Sequence, residues 1–388
     1  SLSVLHAEES PDDVLRFMQT LDAEGALDRE LEFLPTDELY HERMNQRLFM
    51  TRPELSVLIS YAKNELKAAF AIPEIAADSM LCEKALTAFP ASLNKQYQDR
   101  LIGHRLIAEI AGTQWANELV NLMGITFARR MQEASGRPLF DVLKAYAVAS
   151  AIYQFEGTWG AIEHASALAS DEQLMQMRHL HRLVRRATRW LLRNRPLEGP
   201  VANEIARYQG AMDELLHKGL KWLPATRQAE TQQTINHLVE QGVEVNAATR
   251  IHVGLAFNQL IAIAEVAQVS QRKLIEVTLL FVEVGEQLRL TPFAQLVNQI
   301  AVNNNWEALA REAFRDDLNA TQQRIASVLA AQKGKPDALV ATMLRQFETD
   351  CVRWMATIEQ LTQSLEVSYP MLSVALRELK AIEARVTD

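Results

Sequence analysis

The stretch MTRPELSVLISYAK, residues 50–63, specifies the start of a helix in unusual detail. Thr51 can cap the helix N-terminus, and Glu54 follows three residues later, which is the spacing of a capping box. Pro53 is tolerated in the first turn because the N–H groups there have no intrahelical partner. The apolar residues that follow are Leu55, Leu58, Ile59, Ala62 and Leu66. Their spacing is typical of a helix with one buried face.

Composition extends this prediction to the whole chain. The 388 residues are 48% apolar but include only 14 Gly and 12 Pro, and helix-favouring Ala, Leu, Glu, Gln and Arg run through most of the sequence. Apolar and polar residues do not alternate over strand-length segments. At about 150 residues per domain, the length favours two or three units. We therefore predict an all-α, two-lobed, multi-helix bundle.

Helix-breaking residues suggest where the lobes divide. Pro196, Gly199 and Pro200 lie together within residues 193–204, which makes this segment the strongest candidate for a boundary. The predicted parts are an acidic connector with short helices over residues 1–50, a helical lobe over 51–196 and a second helical lobe over 197–388.

Charge and cysteine content exclude several classes of protein. The net charge is −9, and residues 1–50 alone carry twelve acidic and four basic residues. Phosphate affinity requires a basic footprint, so nucleic acid is not an expected partner. Cys82 and Cys351 are too few for a disulfide scaffold. No signal peptide or membrane-length apolar run is visible, so we expect a cytoplasmic protein without a membrane partner. The first residue is Ser1 rather than Met, which suggests a piece of a longer polypeptide.

The segment RHLHRLVRRATRWLLRNR, residues 178–195, holds seven arginines and no acidic residue. On a helix its apolar positions fall on one side; they are Leu180, Leu183, Val184, Ala187 and Leu191. The opposite side carries an arginine stripe that consists of Arg178, Arg182, Arg185, Arg189 and Arg193. Guanidinium groups pair well with carboxylates and phosphates, so the stripe is a candidate interface. A protein partner, solvated charge and an anionic ligand all stay open, and the acidic segment 1–50 is one candidate partner.

Apolar residues near the C-terminus alternate steps of three and four over three heptads. They are Leu344, Phe347, Cys351, Trp354, Ile358, Leu361 and Leu365. This spacing is typical of a coiled-coil seam. After Pro370 a second apolar stripe could belong to a returning helix. The two interpretations are a coiled-coil hairpin that joins subunits and an ordinary helix pair within a bundle.

Residues with catalytic or metal-binding chemistry are sparse. Glu214 and His217 form one Glu-x-x-His motif, whereas a di-iron bundle needs two such motifs and further carboxylates. His179 and His181 are two residues apart and project from different helix faces, which is poor geometry for zinc. The chain has no G-x-G-x-x-G fingerprint, P-loop or G-x-S-x-G elbow. We predict no catalytic, cofactor-binding or metal-binding residue, with a bundle enzyme at Glu214 and His217 as an alternative.

Five segments resemble, in order and spacing, the C-terminal helical region of the large bacterial NAD-specific glutamate dehydrogenase. They are LDRELEFLPTDE (27–38), TRPELSVLISYAK (51–63), NELVNLMGITFARRMQEASG (117–136), DVLKAYAVASAIY (141–153) and TRWLLRNR (188–195). The similarity covers residues 1–196 and is diffuse afterwards. Arg52, Glu54, Tyr61 and Trp190 match motif positions of the family, and we expect them to be fold or interface residues.

The resemblance implies a parent enzyme that oxidises L-glutamate to 2-oxoglutarate and ammonium, with NAD as hydride acceptor. The catalytic residues and the NAD-binding unit would lie in an upstream catalytic domain of the same polypeptide, after which SLSVL (1–5) would begin this region. The segment alone should then be inactive, bind neither NAD nor a metal, and serve architecture, homo-oligomer contacts or regulation. The alternative is an independent helical adaptor that binds acidic proteins through the arginine stripe.

Overall fold

The computed structural model describes residues 10–257, 259–302 and 304–387, so the predicted junction at SLSVL (1–5) lies outside the described residues. Within these ranges all regular secondary structure is helical, with 21 α-helices and two short 3₁₀ segments. This confirms the predicted all-α, multi-helix class.

The helices up to residue 194 are α1 (Pro11–Ala23), α2 (Asp37–Asn45), α3 (Arg52–Phe70), α4 (Pro73–Ala77), α5 (Ser79–Glu83), α6 (Ala91–Ile102), α7 (Ile107–Met123), α8 (Phe127–Ser135), α9 (Leu139–Ile152), α10 (Phe155–Glu163) and α11 (Ser170–Asn194). The later helices are α12 (Val201–Lys218), α13 (Ala225–Glu240), α14 (Val245–Phe257), α15 (Leu260–Ser270), α16 (Leu274–Gln287), α17 (Leu290–Gln299), α18 (Asn305–Ala331), α19 (Pro336–Gln346), α20 (Glu348–Gln363) and α21 (Tyr369–Thr387). None of these helices is by itself long and apolar enough to cross a membrane, although α14 and α15, bent by 72°, pass by length and composition as a pair.

The chain forms two compact units. The first comprises the described residues up to Gln209 together with His237–Ile251, and the second comprises Gly210–Asn236 together with the residues from His252 onward. The chain changes units within α12, α13 and α14. The predicted lobe boundaries at residues 50 and 196 stay predictions.

The helix start at Thr51 forms as predicted. The Thr51 hydroxyl accepts a hydrogen bond from the Glu54 N–H at 3.4 Å, and the Glu54 carboxylate accepts one from the Thr51 N–H at 2.7 Å. Arg43 pairs with the same carboxylate at 2.9 Å. Burial opposes ionisation of Glu54, but these donors outweigh burial and lower the pKa of its carboxyl. The buried positions of α3 include Leu55, Leu58, Ala62 and Leu66, whereas Ile59 is half-buried.

Helix α3 packs along α7, and a glycine permits their close approach. A Cβ added at Gly112 would lie 2.9 Å from the Ala71 backbone nitrogen and 3.0 Å from the Phe70 carbonyl carbon. Both neighbours are backbone atoms and cannot rotate away. The end of α3 therefore contacts α7 at a position where only glycine fits.

The predicted C-terminal seam is interrupted. A break at Phe347, with φ −114° and ψ 33°, separates α19 from α20. Leu365 lies beyond the end of α20 and is fully exposed. The predicted length of three heptads is therefore wrong, because the backbone leaves the helix at both ends of the pattern. The buried positions between them are Cys351, Trp354, Ile358 and Leu361. Helix α20 packs against α21, and a coiled-coil hairpin stays a prediction.

Candidate functional site

The arginine stripe lies on α11, a helix of 25 residues. Arg182 and Arg193 are exposed, whereas Arg178, Arg185 and Arg189 are partly buried. Arg178, Arg185, Arg189 and Arg193 interact with other groups of the chain. The opposite face is buried as predicted, at Leu180, Leu183, Val184, Ala187 and Leu191. The stripe is thus partly built into the fold, and its role as an interface stays a prediction.

His181 lies on the buried side of α11. Its Nε2 is 3.1 Å from the Met123 carbonyl oxygen, which can only accept, so the neutral ring donates its Nε2–H. Burial, reinforced by the positive charges of Arg185 and Arg130, lowers the pKa of His181 to about 4. Burial and an adjacent arginine likewise lower the pKa of His179 to about 4. Both rings are therefore neutral at pH 7.

A small hollow with about 10 Å³ of internal space, room for roughly one water molecule, lies beside His181. Arg130 and Arg185 border it, together with Phe127 at the start of α8. The Arg130 guanidinium is paired with Asp13 at 2.9 Å. The lining includes no carboxylate and no thiol. Its polar lining consists of the His181 ring, Thr126 and the two arginines, and no catalytic role is assigned to it.

Two adjacent arginines on α8 bind the acidic N-terminal segment, which the sequence analysis missed. Arg129 pairs with Glu24 at 2.7 Å and with Glu65 at 2.6 Å. Its hydrogen bond to Glu24 is the largest influence on that carboxyl and lowers the pKa. Arg130 binds Asp13, as described above. The signal that could have found them is the Arg-Arg pair in FARRM (127–131), which follows a mostly apolar helix.

A charged cluster lies inside the first unit. Lys84 forms ion pairs with Glu118 and, at 2.8 Å, with Glu156. The Tyr146 hydroxyl donates to Glu118 at 2.9 Å, and the Lys84 ammonium lies 5.2 Å from the centre of the Trp115 ring. Burial alone would lower the pKa of Lys84, but the two carboxylates outweigh burial and raise it. The single ammonium is therefore shared between two carboxylates, and the Glu118 carboxylate is held in addition by the Tyr146 hydroxyl.

The Glu-x-x-His motif forms no metal site. Glu214 pairs with Lys218 at 3.1 Å. His217 is exposed, and its Nδ1 lies 2.9 Å from the Asp213 carbonyl oxygen of the same helix. Across the residues that the structure describes, no group of three or more His, Cys, Asp or Glu could hold a metal ion.

The residues that match motif positions have local roles. Arg52 is exposed in the first turn of α3, where Glu54 completes the capping box. The Tyr61 hydroxyl donates to Glu32 of the acidic segment at 2.8 Å. Trp190 contacts Tyr208 edge to face, with 6.2 Å between the ring centres. An additional role of these residues in an interface stays a prediction.

One protein family and several curated proteins are similar to this chain over most of its length. Residues 47–381 match the family described as glutamate dehydrogenase, C-terminal. The chain is 38% identical over 383 residues to the NAD-specific glutamate dehydrogenase of Pseudomonas aeruginosa and 34% identical over 369 residues to that of Halomonas elongata. These alignments cover 98% and 94% of this chain but 24% and 23% of the relatives. The protein of the same name from Mycobacterium tuberculosis is 28% identical over 365 residues, or 22% of its length. The chain therefore spans about a quarter of the length of these curated relatives.

Proposed function

This chain belongs to the glutamate dehydrogenase C-terminal family, and we propose that it is the non-catalytic C-terminal region of an NAD-dependent glutamate dehydrogenase. The main support for this proposal is that 98% of the chain aligns with only 24% of a curated relative named for that activity. The parent would convert L-glutamate, NAD and water to 2-oxoglutarate, ammonium and NADH. The residues that perform this reaction would lie in an upstream catalytic domain of the same polypeptide.

The described residues fit a scaffold better than a nicotinamide site. Pockets for drug-sized ligands occupy about 300–1,000 Å³ and enclose most of the ligand. The hollow beside His181 has room for roughly one water molecule, so it does not fit a dinucleotide. The Lys84 ammonium is already engaged by two carboxylates, which supports a structural role for this cluster. We therefore place NAD in the upstream domain and assign no reaction step to this chain.

The role that we assign to this region is to hold the catalytic domain in place and to provide contacts within a homo-oligomer. The arginine stripe of α11 supports this assignment, because Arg182 and Arg193 are exposed on a helix whose opposite face is buried. Guanidinium groups on a fixed helix pair bidentately with carboxylates of a docking surface. An independent adaptor for acidic proteins would use the same two side chains.

A glutamate-dependent NAD reduction assay tests the proposal. It compares the 388-residue chain, the full-length parent and a parent from which this region is removed. We expect the chain alone to be silent and the truncated parent to lose activity or assembly. A parent that keeps its kinetics and assembly without the region would contradict the scaffold role and favour the independent adaptor.

Charge reversal tests the arginine stripe in the full-length parent. Arg182→Glu should weaken assembly or activity, because the exposed guanidinium would be replaced by a carboxylate that repels an acidic partner. Arg377→Glu on α21 is a matched control, since Arg377 is also an exposed helical arginine but lies outside the stripe. Size-exclusion chromatography with light scattering and steady-state kinetics would show the difference. Equal behaviour of the two variants would contradict docking through the stripe.

A further inference from the structure

Two turns of the acidic connector expose large apolar side chains. In the first turn, residues 28–34, Leu31 is 72% and Phe33 is 90% exposed. In the second turn, residues 46–49, which follow α2, the side chains of Leu48 and Phe49 are 56% and 49% exposed. We call these segments the two apolar turns. Exposure of four large apolar side chains within 19 residues of sequence, 31–49, favours an interaction surface.

Both apolar turns contain a residue in the left-handed backbone region. Phe33 has φ 53° and Arg47 has φ 58°. Bulky residues adopt this conformation only where the surrounding structure imposes it. In the first turn the conformation directs an aromatic side chain into solvent. The observed strain therefore points to a use for the exposed ring.

The first apolar turn is held at several points. The Leu34 N–H donates to the Arg29 carbonyl at 2.9 Å, and the Arg29 guanidinium binds Asp37 at 2.6 Å. The Leu34 side chain is buried, and Glu32 accepts a hydrogen bond from Tyr61. Phe33 is consequently presented on a pre-organised backbone, which lowers the entropy cost of binding.

The surroundings of the apolar turns indicate the chemistry of the partner. Exposed carboxylates lie beside them in sequence, at Asp28, Glu30 and Glu38. An aromatic anchor with a charged rim is the usual composition of a specific interface. The complementary surface would offer an apolar pocket for Phe33 and basic side chains around it.

We propose that the two apolar turns dock onto the part of the parent polypeptide that precedes this chain. This inference rests on the proposed function, because it takes its occupant from the parent enzyme. Three quarters of each curated relative lies outside the alignment with this chain. The family match begins at residue 47, so the first turn precedes the match and the second lies at its N-terminal edge. The upstream region is therefore the occupant closest in sequence.

Thiol labelling tests the docking without relying on activity. The Phe33→Cys variant is made in the 388-residue chain and in the full-length parent, and maleimide modification of that position is followed by peptide mass spectrometry. The native thiols of the chain, Cys82 and Cys351, are buried. We expect labelling to be at least tenfold slower in the parent than in the isolated chain. Equal rates would overturn the proposal.

Two further measurements test whether a second copy of the chain covers Phe33 instead and whether docking stabilises the parent. If labelling of the isolated chain slows as its concentration rises, a second copy covers Phe33, and the proposal is overturned. Phe33→Asp should lower the melting temperature of the parent but not that of the isolated chain, because Asp adopts the left-handed backbone region more readily than Phe. A parent that melts like wild type would also overturn docking. A parent that does not oxidise glutamate would refute the proposed function, whereas the labelling ratio would still report whether the turns are covered.

Discussion

Two tryptophans anchor the two units in different ways. Trp115 in α7 and Trp354 in α20 are both buried, and each indole N–H donates to a distant backbone carbonyl. The Trp115 bond reaches Leu81 at 2.9 Å, and the Trp354 bond reaches Leu288 at 2.7 Å. In both places the polar edge of the indole is satisfied, so the differences lie in what surrounds the ring.

Those surroundings are ionic in the first unit and aromatic in the second. Trp115 lies beneath the Lys84 ammonium and contacts the Tyr146 ring edge to face, with 6.3 Å between the centres. Trp354 contacts Phe293 edge to face, with 5.5 Å between the centres. An aromatic cluster depends on filled volume, whereas a buried ionic cluster depends on every charge having its partner. The two clusters should therefore fail under different substitutions.

The largest loss is expected where volume is removed around Trp354. Trp354→Ala would leave a cavity and an unpaired Leu288 carbonyl, so the free energy of unfolding should fall by about 4–5 kcal/mol. Denaturant unfolding of the 388-residue chain measures the change. Trp306→Ala is the matched control, because Trp306 is 80% exposed, and it should change stability by less than about 0.5 kcal/mol. Similar losses of unfolding free energy in both variants would contradict the idea that filled volume around Trp354 stabilises the second unit.

The next largest loss is expected from the ionic cluster. Lys84→Met keeps most of the side-chain volume but leaves Glu118 with a buried, uncompensated charge, which should cost about 3–4 kcal/mol. Adding Glu118→Leu removes that charge and should recover most of the loss. A double-mutant cycle in denaturant measures the coupling. If the losses of unfolding free energy in the two single variants simply add in the double variant, Lys84 and Glu118 are not coupled, which contradicts a buried ion pair.

A smaller effect concerns His181, a titratable group kept neutral by burial. Its pKa is about 4 in the folded chain, below the unfolded value of about 6.5. The unfolded state therefore binds more protons between these values, so the His181 contribution is complete above pH 6.5 and falls as the pH drops to 4. The stability difference between wild type and His181→Gln should shrink by about 3 kcal/mol over that range. A pH-independent difference would contradict the neutral, buried ring.

The smallest expected effect compares two helical glycines in the first unit. Gly112, one turn before Trp115, should not tolerate Gly112→Ala, because the new Cβ would meet backbone atoms at 2.9 and 3.0 Å. Gly157 in α10 is exposed and has no atom within 4 Å of that position. Gly157→Ala should therefore stabilise the chain by about 0.5–1 kcal/mol, whereas Gly112→Ala should destabilise it by about 1 kcal/mol or more. Melting temperatures that shift in the same direction would contradict the close helix contact.

The sequence predictions that succeeded depend on local spacing, whereas the one that failed extended a periodic pattern across a break in the helix. The cap at Thr51 depends on groups no more than three residues apart, and the buried face of α11 depends on helical periodicity. Both are confirmed. The seam through Phe347 also followed periodicity, but it failed because a favourable pattern does not exclude a local break in the helix.

The sequence by itself determined the helical class, the capped start of α3, the buried face of α11 and the family resemblance, because these depend on local spacing and composition. Tertiary structure decided which arginines are exposed and which acidic groups they bind. The Arg129–Glu24 pair joins residues 105 positions apart, and the Tyr146–Glu118 bond joins residues 28 apart. Such partners are chosen by how helices pack, since a helix surface relates only residues three or four positions apart.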